Sequence, residues 1–302
     1  MSDHIAHIAI CDDTFRLASA GLSLPAPLAL AIDAHREAAH MGSVTRQADL
    51  WSVDLMLWAS EQQALPAADR SPRHLDKLAF VLGALTHRAA DRLTKPITNC
   101  FKGGDEEISE AHISKIMQDL FVYREVYGAG KGPHADPFTG LLLDIPADDA
   151  GARAEEAFRV LHRRALISMH TIRPDSSDIH GWLDAFFQAL QTYPKQIRTY
   201  AELLAEWDPV KVNRYLVEKH FYDRDDALIV LARRIHHGGD ATADEVAAAR
   251  AATDKPHSRY ARALARALHY LEAAADLFEG RIGEDEAKVR FDIGVPELAE
   301  VD

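Results

Sequence analysis

Residues 80–96 carry the sequence Phe80-Val81-Leu82-Gly83-Ala84-Leu85-Thr86-His87-Arg88-Ala89-Ala90-Asp91-Arg92-Leu93-Thr94-Lys95-Pro96. The apolar residues recur at helical spacing, which predicts a helix with an apolar face. His87 and Asp91 are four residues apart, so both side chains project from the same side of this helix. An imidazole and a carboxylate so placed supply two ligands for a cation such as zinc. The alternative is a buried histidine that hydrogen-bonds a carboxylate one turn away. Pro96 is predicted to end the helix.

Helical patterns continue through most of the chain, and strand signals are nearly absent. Ala, Leu, Glu, Arg and Asp dominate, and no Asn-Gly or Asp-Gly turn joins two β-branched runs. The sequence therefore predicts an all-α fold. The predicted helices cover residues 4–19, 26–40, 46–62, 72–94, 107–127, 150–170, 177–194, 196–206, 209–218, 224–237, 242–253 and 256–280.

A Gly- and Pro-rich segment, residues 128–137, is the clearest interruption of the helical pattern. It suggests a first helical domain over residues 1–128 and a loop or linker over 129–149. Residues 150–302 then form a helical C-terminal region, either separate or packed on the first part as one domain. The lysine in this segment is not followed by Ser or Thr, so the segment is not a phosphate-binding P-loop.

The composition limits the classes of function that this protein can have. The chain has 302 residues, 47% of them hydrophobic, and a net charge of -13. This charge argues against a stable nucleic-acid complex, which needs a basic surface, although a bound cation can still attract a phosphodiester. Two cysteines, a polar acidic start and no long apolar run predict a cytoplasmic protein with no transmembrane segment. The oligomeric state is left open.

Three further segments hold candidate metal ligands. His7 shares a helix face with His4 and Cys11, although a buried cysteine is commonly a small hydrophobe. Asp49 follows Gly42, which suggests a turn, and an Asp there can also be a helix cap. A later helix carries His112, with Asp119 two turns further on.

The order of these pieces resembles the bacterial zinc-dependent phospholipase C family, whose all-helical fold is shared with single-strand-specific zinc nucleases. The resemblance rests on Ala6-His7-Ile8-Ala9, on Gly42-Ser43-Val44 before Asp49, and on Gly83 to Asp91 before Pro96. It covers roughly residues 4–125. It implies a helical bundle core of the phospholipase C type, with a helical C-terminal extension.

The resemblance also implies a site and an activity. His7, Asp49, His87, Asp91 and His112 would match metal ligands of the family, and Asp49 would also be its general base. One or two zinc ions, or another divalent metal, would then activate a water to attack a phosphodiester. The expected substrate is a small-molecule or lipid phosphodiester.

A second hypothesis belongs to a different class. The chain has Lys95, Thr98 and Ile116 at positions where the family often carries further ligands, and no processed N-terminal Trp. These differences favour a helical scaffold or protein-interaction module of the same fold that has lost its chemistry. The hydrolase requires its ligands to converge, whereas the scaffold predicts that at least two of them face solvent or hydrogen-bond inside the core.

Overall fold

The computed structural model describes residues 4–45, 48–71, 74–101, 109–126, 208–252 and 255–295. Every regular element within these ranges is helical, which confirms the all-α prediction. The helices are α1 His4–Gly21, α2 Ala26–Ala34, α3 Arg36–Val44, α4 Ser52–Ala64, α5 His74–Asn99, α6 Glu110–Glu125, α7 Pro209–Val212, α8 Ala227–His236, α9 Ala243–Ala251, α10 Arg259–Phe278 and α11 Glu284–Arg290. Short 3-10 turns cover Ala48–Trp51 and Ala67–Asp69, and a π turn, Asn213–Val217, extends α7.

Helix α5 is the centre of the fold. Residues 81–94 are all buried, because α1, α2, α3, α4, α6 and α10 pack around this helix. The buried stretch includes His87, Arg88, Asp91 and Arg92 as well as the apolar side chains. Burying these polar groups lowers the stability of the fold unless each forms a hydrogen bond or ion pair. The surrounding segments must therefore supply partners at these positions.

Helices α3 and α5 cross at two glycines. A Cβ placed on Gly42 would lie 1.9 Å from the Phe80 carbonyl oxygen, and one on Gly83 would lie 1.9 Å from the Ala39 carbonyl oxygen. The two backbones therefore lie closer together than any residue with a Cβ atom at these positions would allow. The prediction that Gly42 marks a turn was wrong, because this residue lies inside α3.

Pro96 does not end α5, so that prediction was also wrong. The helix continues to Asn99, and the Cys100 N–H donates to the Pro96 carbonyl at 3.2 Å. Proline lacks the N–H that would bond to the carbonyl of Arg92, which removes one helical hydrogen bond. Ile97 and Thr98 are buried in the last turn, and their packing outweighs this loss.

Other boundaries differ from the predicted ones for local reasons. The predicted helix 26–40 is broken at His35, whose Nδ1 lies 2.8 Å from Asp76 Oδ1 of α5. The predicted helix 46–62 begins as a 3-10 turn before α4, and α11 was not predicted. Side-chain caps begin two of the C-terminal helices: Asp208 caps α7, and Thr242 forms a capping box with Glu245. The predicted helices 150–170, 177–194 and 196–206 lie outside the described residues.

The described part of the C-terminal region shares one hydrophobic core with the N-terminal helices. Helix α10 packs against α5 and α1, and its buried Tyr260 donates to Asp13 of α1 at 2.8 Å. The predicted boundary and linker at residues 129–149 lie outside the described residues. Within the described helices, none has the length and apolar character needed to cross a membrane.

The glycine crossing gives a first prediction. Gly83→Ala should lower the free energy of unfolding by about 3 kcal/mol or more, because the new methyl group meets backbone that cannot move aside. Urea denaturation would measure this. Gly283→Ala is the matched control, since no atom lies within 4 Å of that position and φ is negative. Equal effects of the two substitutions would contradict the close crossing.

Candidate metal centre

Helix α1 carries His7 into the protein interior. The backbone N–H of Ala6 donates to Asp119 Oδ1 of α6 at 2.9 Å. The first N–H groups of a helix lack partners within the helix, so this carboxylate both satisfies one of them and fixes where α1 begins. His7 is consequently buried beside α5, with its ring centroid 4.7 Å from that of His87.

The orientation of His87 is set by the crossing of α3 and α5. Its Nδ1 lies 2.9 Å from the carbonyl oxygen of Ser43, in the last turn of α3. A carbonyl can only accept, so Nδ1 carries the proton and donates it. In the neutral imidazole, Nε2 is then the unprotonated nitrogen. This arrangement is typical of histidines that bind metals.

The three side chains converge on one point. His7 Nε2 lies 3.2 Å from Asp91 Oδ1, and His87 Nε2 lies 3.4 Å from Asp91 Oδ2. One ligand atom from each residue can be chosen so that all lie within 4.8 Å of one another, and all three residues are buried. These residues could hold a metal ion. Two imidazoles and a carboxylate are ligands that zinc and other divalent transition metals accept.

Burial and charge tune the group for cation binding. Burial lowers the pKa of His87, and nearby His7 lowers it further, against the opposite influence of Asp91 and Asp49. Burial alone would raise the pKa of Asp91, but the imidazoles of His87 and His7 and the Lys95 ammonium outweigh it and hold that pKa well below its usual range. The group therefore combines an anionic carboxylate with a neutral His87 at neutral pH.

Lys95 also belongs to this site, although the sequence analysis gave it no role there. Its Nζ lies 2.5 Å from Asp91 Oδ2, one helical turn away on α5. The spacing of Asp91 and Lys95 is the same i, i+4 relation that links His87 to Asp91, so the signal was present. The Lys95 ammonium supplies positive charge at the carboxylate oxygen that also faces His87.

Asp49 lies near His87 but is held by a different partner. Its Oδ2 accepts from Arg88, whose Nε donates to the Phe291 carbonyl at 2.6 Å and whose second amino group donates to the Asp292 carbonyl. Arg88 is buried, and these three acceptors come from two segments that are far apart in the chain. Arg88 thus ties the turn before α4 and the turn after α11 to the helix that carries His87.

The structure does not bring every predicted ligand to this group. His112 is partly buried in the first turn of α6, where its backbone N–H donates to the capping Ser109, and it lies outside the His7–His87–Asp91 group. Burial and the nearby Lys115 lower its pKa. Cys11 is buried in the hydrophobic core, and Asp119 anchors α1. His4 lies in the first turn of α1.

A second buried histidine–carboxylate pair was missed by sequence reasoning. His40 Nε2 of α3 lies 2.8 Å from Asp12 Oδ1 of α1, and both side chains are buried. The residues are 28 positions apart, so helical spacing could not reveal the pair. It joins α1 to α3 and so supports the placement of His7 relative to Ser43.

Comparisons of the chain with protein-family models, with curated proteins and with solved structures found no match. A function must therefore be inferred from the geometry described above.

Arg88 gives the second prediction. Arg88→Met should lower the free energy of unfolding by about 3–5 kcal/mol, because it leaves the Asp49 carboxylate without its buried cation. Chemical denaturation would measure the change. Arg224→Met is the control, since Arg224 is exposed and its ion pair with Glu125 should contribute at most about 1 kcal/mol. A loss for Arg88→Met no larger than for this control would show that the Arg88 contacts do not stabilise the fold.

Proposed function

We propose that this protein is a metal-dependent hydrolase of phosphodiesters, with the metal held by His7, His87 and Asp91. The observation that carries the proposal is the convergence of these three buried side chains from α1 and α5 on one point. The chain order of the motifs, which resembles that of the zinc-dependent phospholipases C, supports the choice of reaction.

The contact between His87 and Asp91 favours a cation at this point. Because Nδ1 of His87 donates to Ser43, the neutral ring presents the lone pair of Nε2 to a carboxylate oxygen 3.4 Å away. Two acceptors that face each other repel unless positive charge lies between or beside them. A divalent cation bound to both would convert this repulsion into two favourable contacts.

Three protein ligands suit one ion with a further position left for water or substrate, and we assign zinc as the first candidate. A bound zinc would lower the pKa of its water and offset negative charge on a phosphoryl oxygen. Ser43 keeps His87 in the ligating tautomer, and the pKa of Asp91, held well below its usual range, keeps that residue anionic.

Asp49 has a supporting role in this proposal. It lies at the start of the 3-10 turn before α4, and Arg88 fixes its carboxylate. Since one of its oxygens already accepts from a guanidinium, we assign Asp49 the task of orienting the attacking water, with proton removal as the alternative. Arg88 positions Asp49 and makes no contact with substrate in this scheme.

The surface next to Asp49 favours a substrate with an apolar part. Leu50 and Trp51 follow it directly, and each is 54% exposed. Large exposed apolar side chains beside a polar site commonly mark a contact with an apolar ligand or partner. A lipid phosphodiester would place its head group at the buried cluster and its acyl region on these two residues.

Two observations favour the second candidate function, a helical scaffold without catalysis. Asp49 is hydrogen-bonded by Arg88 and His112 lies outside the His7–His87–Asp91 group, so two of the five expected ligands do not converge. The Lys95 ammonium already lies on Asp91 Oδ2, so the cluster contains its own positive charge. In that case the partly exposed Lys95 completes a polar network with the buried His7, His87 and Asp91, and this network orients α1 against α5. The two candidates differ in whether the purified protein contains metal.

The third prediction concerns metal content. Protein purified without a histidine tag should contain about one equivalent of a divalent transition metal, measured by inductively coupled plasma mass spectrometry. The double variant His87→Gln, Asp91→Asn should lose the metal, because two of its three ligands are replaced by side chains of similar size.

A matched control removes a different histidine–aspartate pair. His35→Gln, Asp76→Asn disrupts the partly exposed contact between α2 and α5 and should keep the metal. Metal-free wild-type protein that also takes up no zinc on titration would exclude the hydrolase and favour the scaffold. Equal metal in the wild type and in the His87 and Asp91 variant would place the metal elsewhere.

The fourth prediction concerns activity. The metal-loaded wild type should hydrolyse bis(4-nitrophenyl) phosphate, and Asp49→Asn should keep the metal while losing about 100-fold or more of the rate. Absorbance of released nitrophenolate measures the rate. Loss of metal together with activity in Asp49→Asn would make Asp49 a ligand instead of an orienting residue. Full metal occupancy with no hydrolysis by the wild type would exclude this reaction class for the site.

A further inference from the structure

A cleft of about 460 Å³ lies on another face of α5, between that helix, α10 and the turn that follows α11. Its volume is within the range of pockets that bind small molecules. Its lining residues come from all three segments and are Leu93, Arg262, Ala265, Arg266, His269 and Asp292. None of them belongs to the His7–His87–Asp91 group.

The basic residues of the cleft follow one face of α10. Arg262, Arg266 and His269 are spaced by four and three residues, so their side chains project from the same side of the helix. Both arginines line the cleft and are partly buried, so their side chains are partly shielded from bulk solvent. Partial burial strengthens their attraction for an anion, because water screens it less.

Among the described residues that line the cleft, Asp292 alone is acidic, and its carboxylate has several donors around it. Its Oδ2 accepts from Arg266 and from the Tyr270 hydroxyl, each at 2.6 Å, and Arg92 Nε lies 3.5 Å from the same oxygen. Two guanidinium groups therefore share one carboxylate. Since a guanidinium carries five N–H donors, Arg266 can bind a second anion besides Asp292.

The backbone around Asp292 shows that this arrangement is built into the fold. Asp292 has a φ of 55°, in the left-handed region that few residues other than glycine adopt. Its carbonyl accepts from Arg88, while Arg266 and Tyr270 hold its side chain. These contacts fix the carboxylate next to the guanidinium of Arg266, and Arg262 lies one turn away on the same face of α10.

We propose that this cleft binds a small organic phosphate, with the phosphoryl group on Arg262 and Arg266 and the organic part on Leu93 and Ala265. Planar guanidinium groups match phosphate oxygens in pairs, and the apolar floor favours an esterified phosphate over the free ion. The net charge of -13 repels anions from the protein as a whole, so binding must come from these local side chains. The proposal does not depend on the function assigned to the metal centre.

Calorimetric titration with glycerol 1-phosphate at low salt tests the cleft. The wild type should bind it saturably and more tightly than inorganic phosphate, and Arg262→Ala should weaken binding about tenfold or more. The double variant His87→Gln, Asp91→Asn should bind as the wild type does, which separates the cleft from any phosphate bound at a metal.

Arg281→Ala is the control, because this exposed arginine pairs with Asp276 and Glu279 away from the cleft. It removes the same charge and should leave the affinity unchanged. Absence of saturable binding to the wild type would overturn the proposal, as would equal weakening by the Arg262 and Arg281 substitutions. Equal affinity for inorganic phosphate and the ester would overturn the assignment of an organic ligand.

Discussion

The close approach of α3 to α5 is the constraint on which the rest of the structure depends. Gly42 and Gly83 allow each backbone to reach a carbonyl oxygen of the other helix, and larger side chains would force the helices apart. With the helices at this distance, the Ser43 carbonyl meets the imidazole of His87. The same packing lets His40 reach Asp12 on α1, which carries His7. The absence of a side chain at Gly42 and Gly83 thus determines which ring nitrogen of His87, one turn from Gly83, carries the proton.

Buried charge organises the second half of the fold. Arg88 and Arg92 lie on a helix that is covered on all sides. Asp49 accepts from Arg88, and the backbone acceptors of both arginines lie in the turn after α11. Asp292 in this turn accepts hydrogen bonds through two groups: its carbonyl accepts from Arg88, and its carboxylate accepts from Arg266. Burial works to raise the pKa of Asp292, but the hydrogen bonds from Tyr270 and Arg266 lower it, so the carboxylate remains charged in its cluster.

The sequence was sufficient for features that depend on short spacing. Helical periodicity predicted the all-α class, and the four-residue interval predicted that His87 and Asp91 share a face. The approach of His7 rested on a resemblance, because no local pattern connects residues 84 positions apart. The prediction for Gly42 was wrong because glycine is common both in turns and at close helix crossings. The prediction for Pro96 was wrong because the burial of Ile97 outweighs the tendency of proline to end a helix. The role of Arg88 could not be predicted, since its carbonyl partners carry no side-chain signal.

The separation between Arg88 and its acceptors also bears on how the chain folds. The bond from Arg88 to the Phe291 carbonyl spans 203 residues, and that from Arg92 to the Val295 carbonyl spans the same number. During synthesis the central helix emerges long before these partners. Until these partners are synthesised, packing α5 against the other N-terminal helices would bury two guanidinium groups without their backbone acceptors, which lowers stability. The N-terminal helices therefore gain their full stability late, when the last turn docks, and such long-range closure is typical of slow-folding chains.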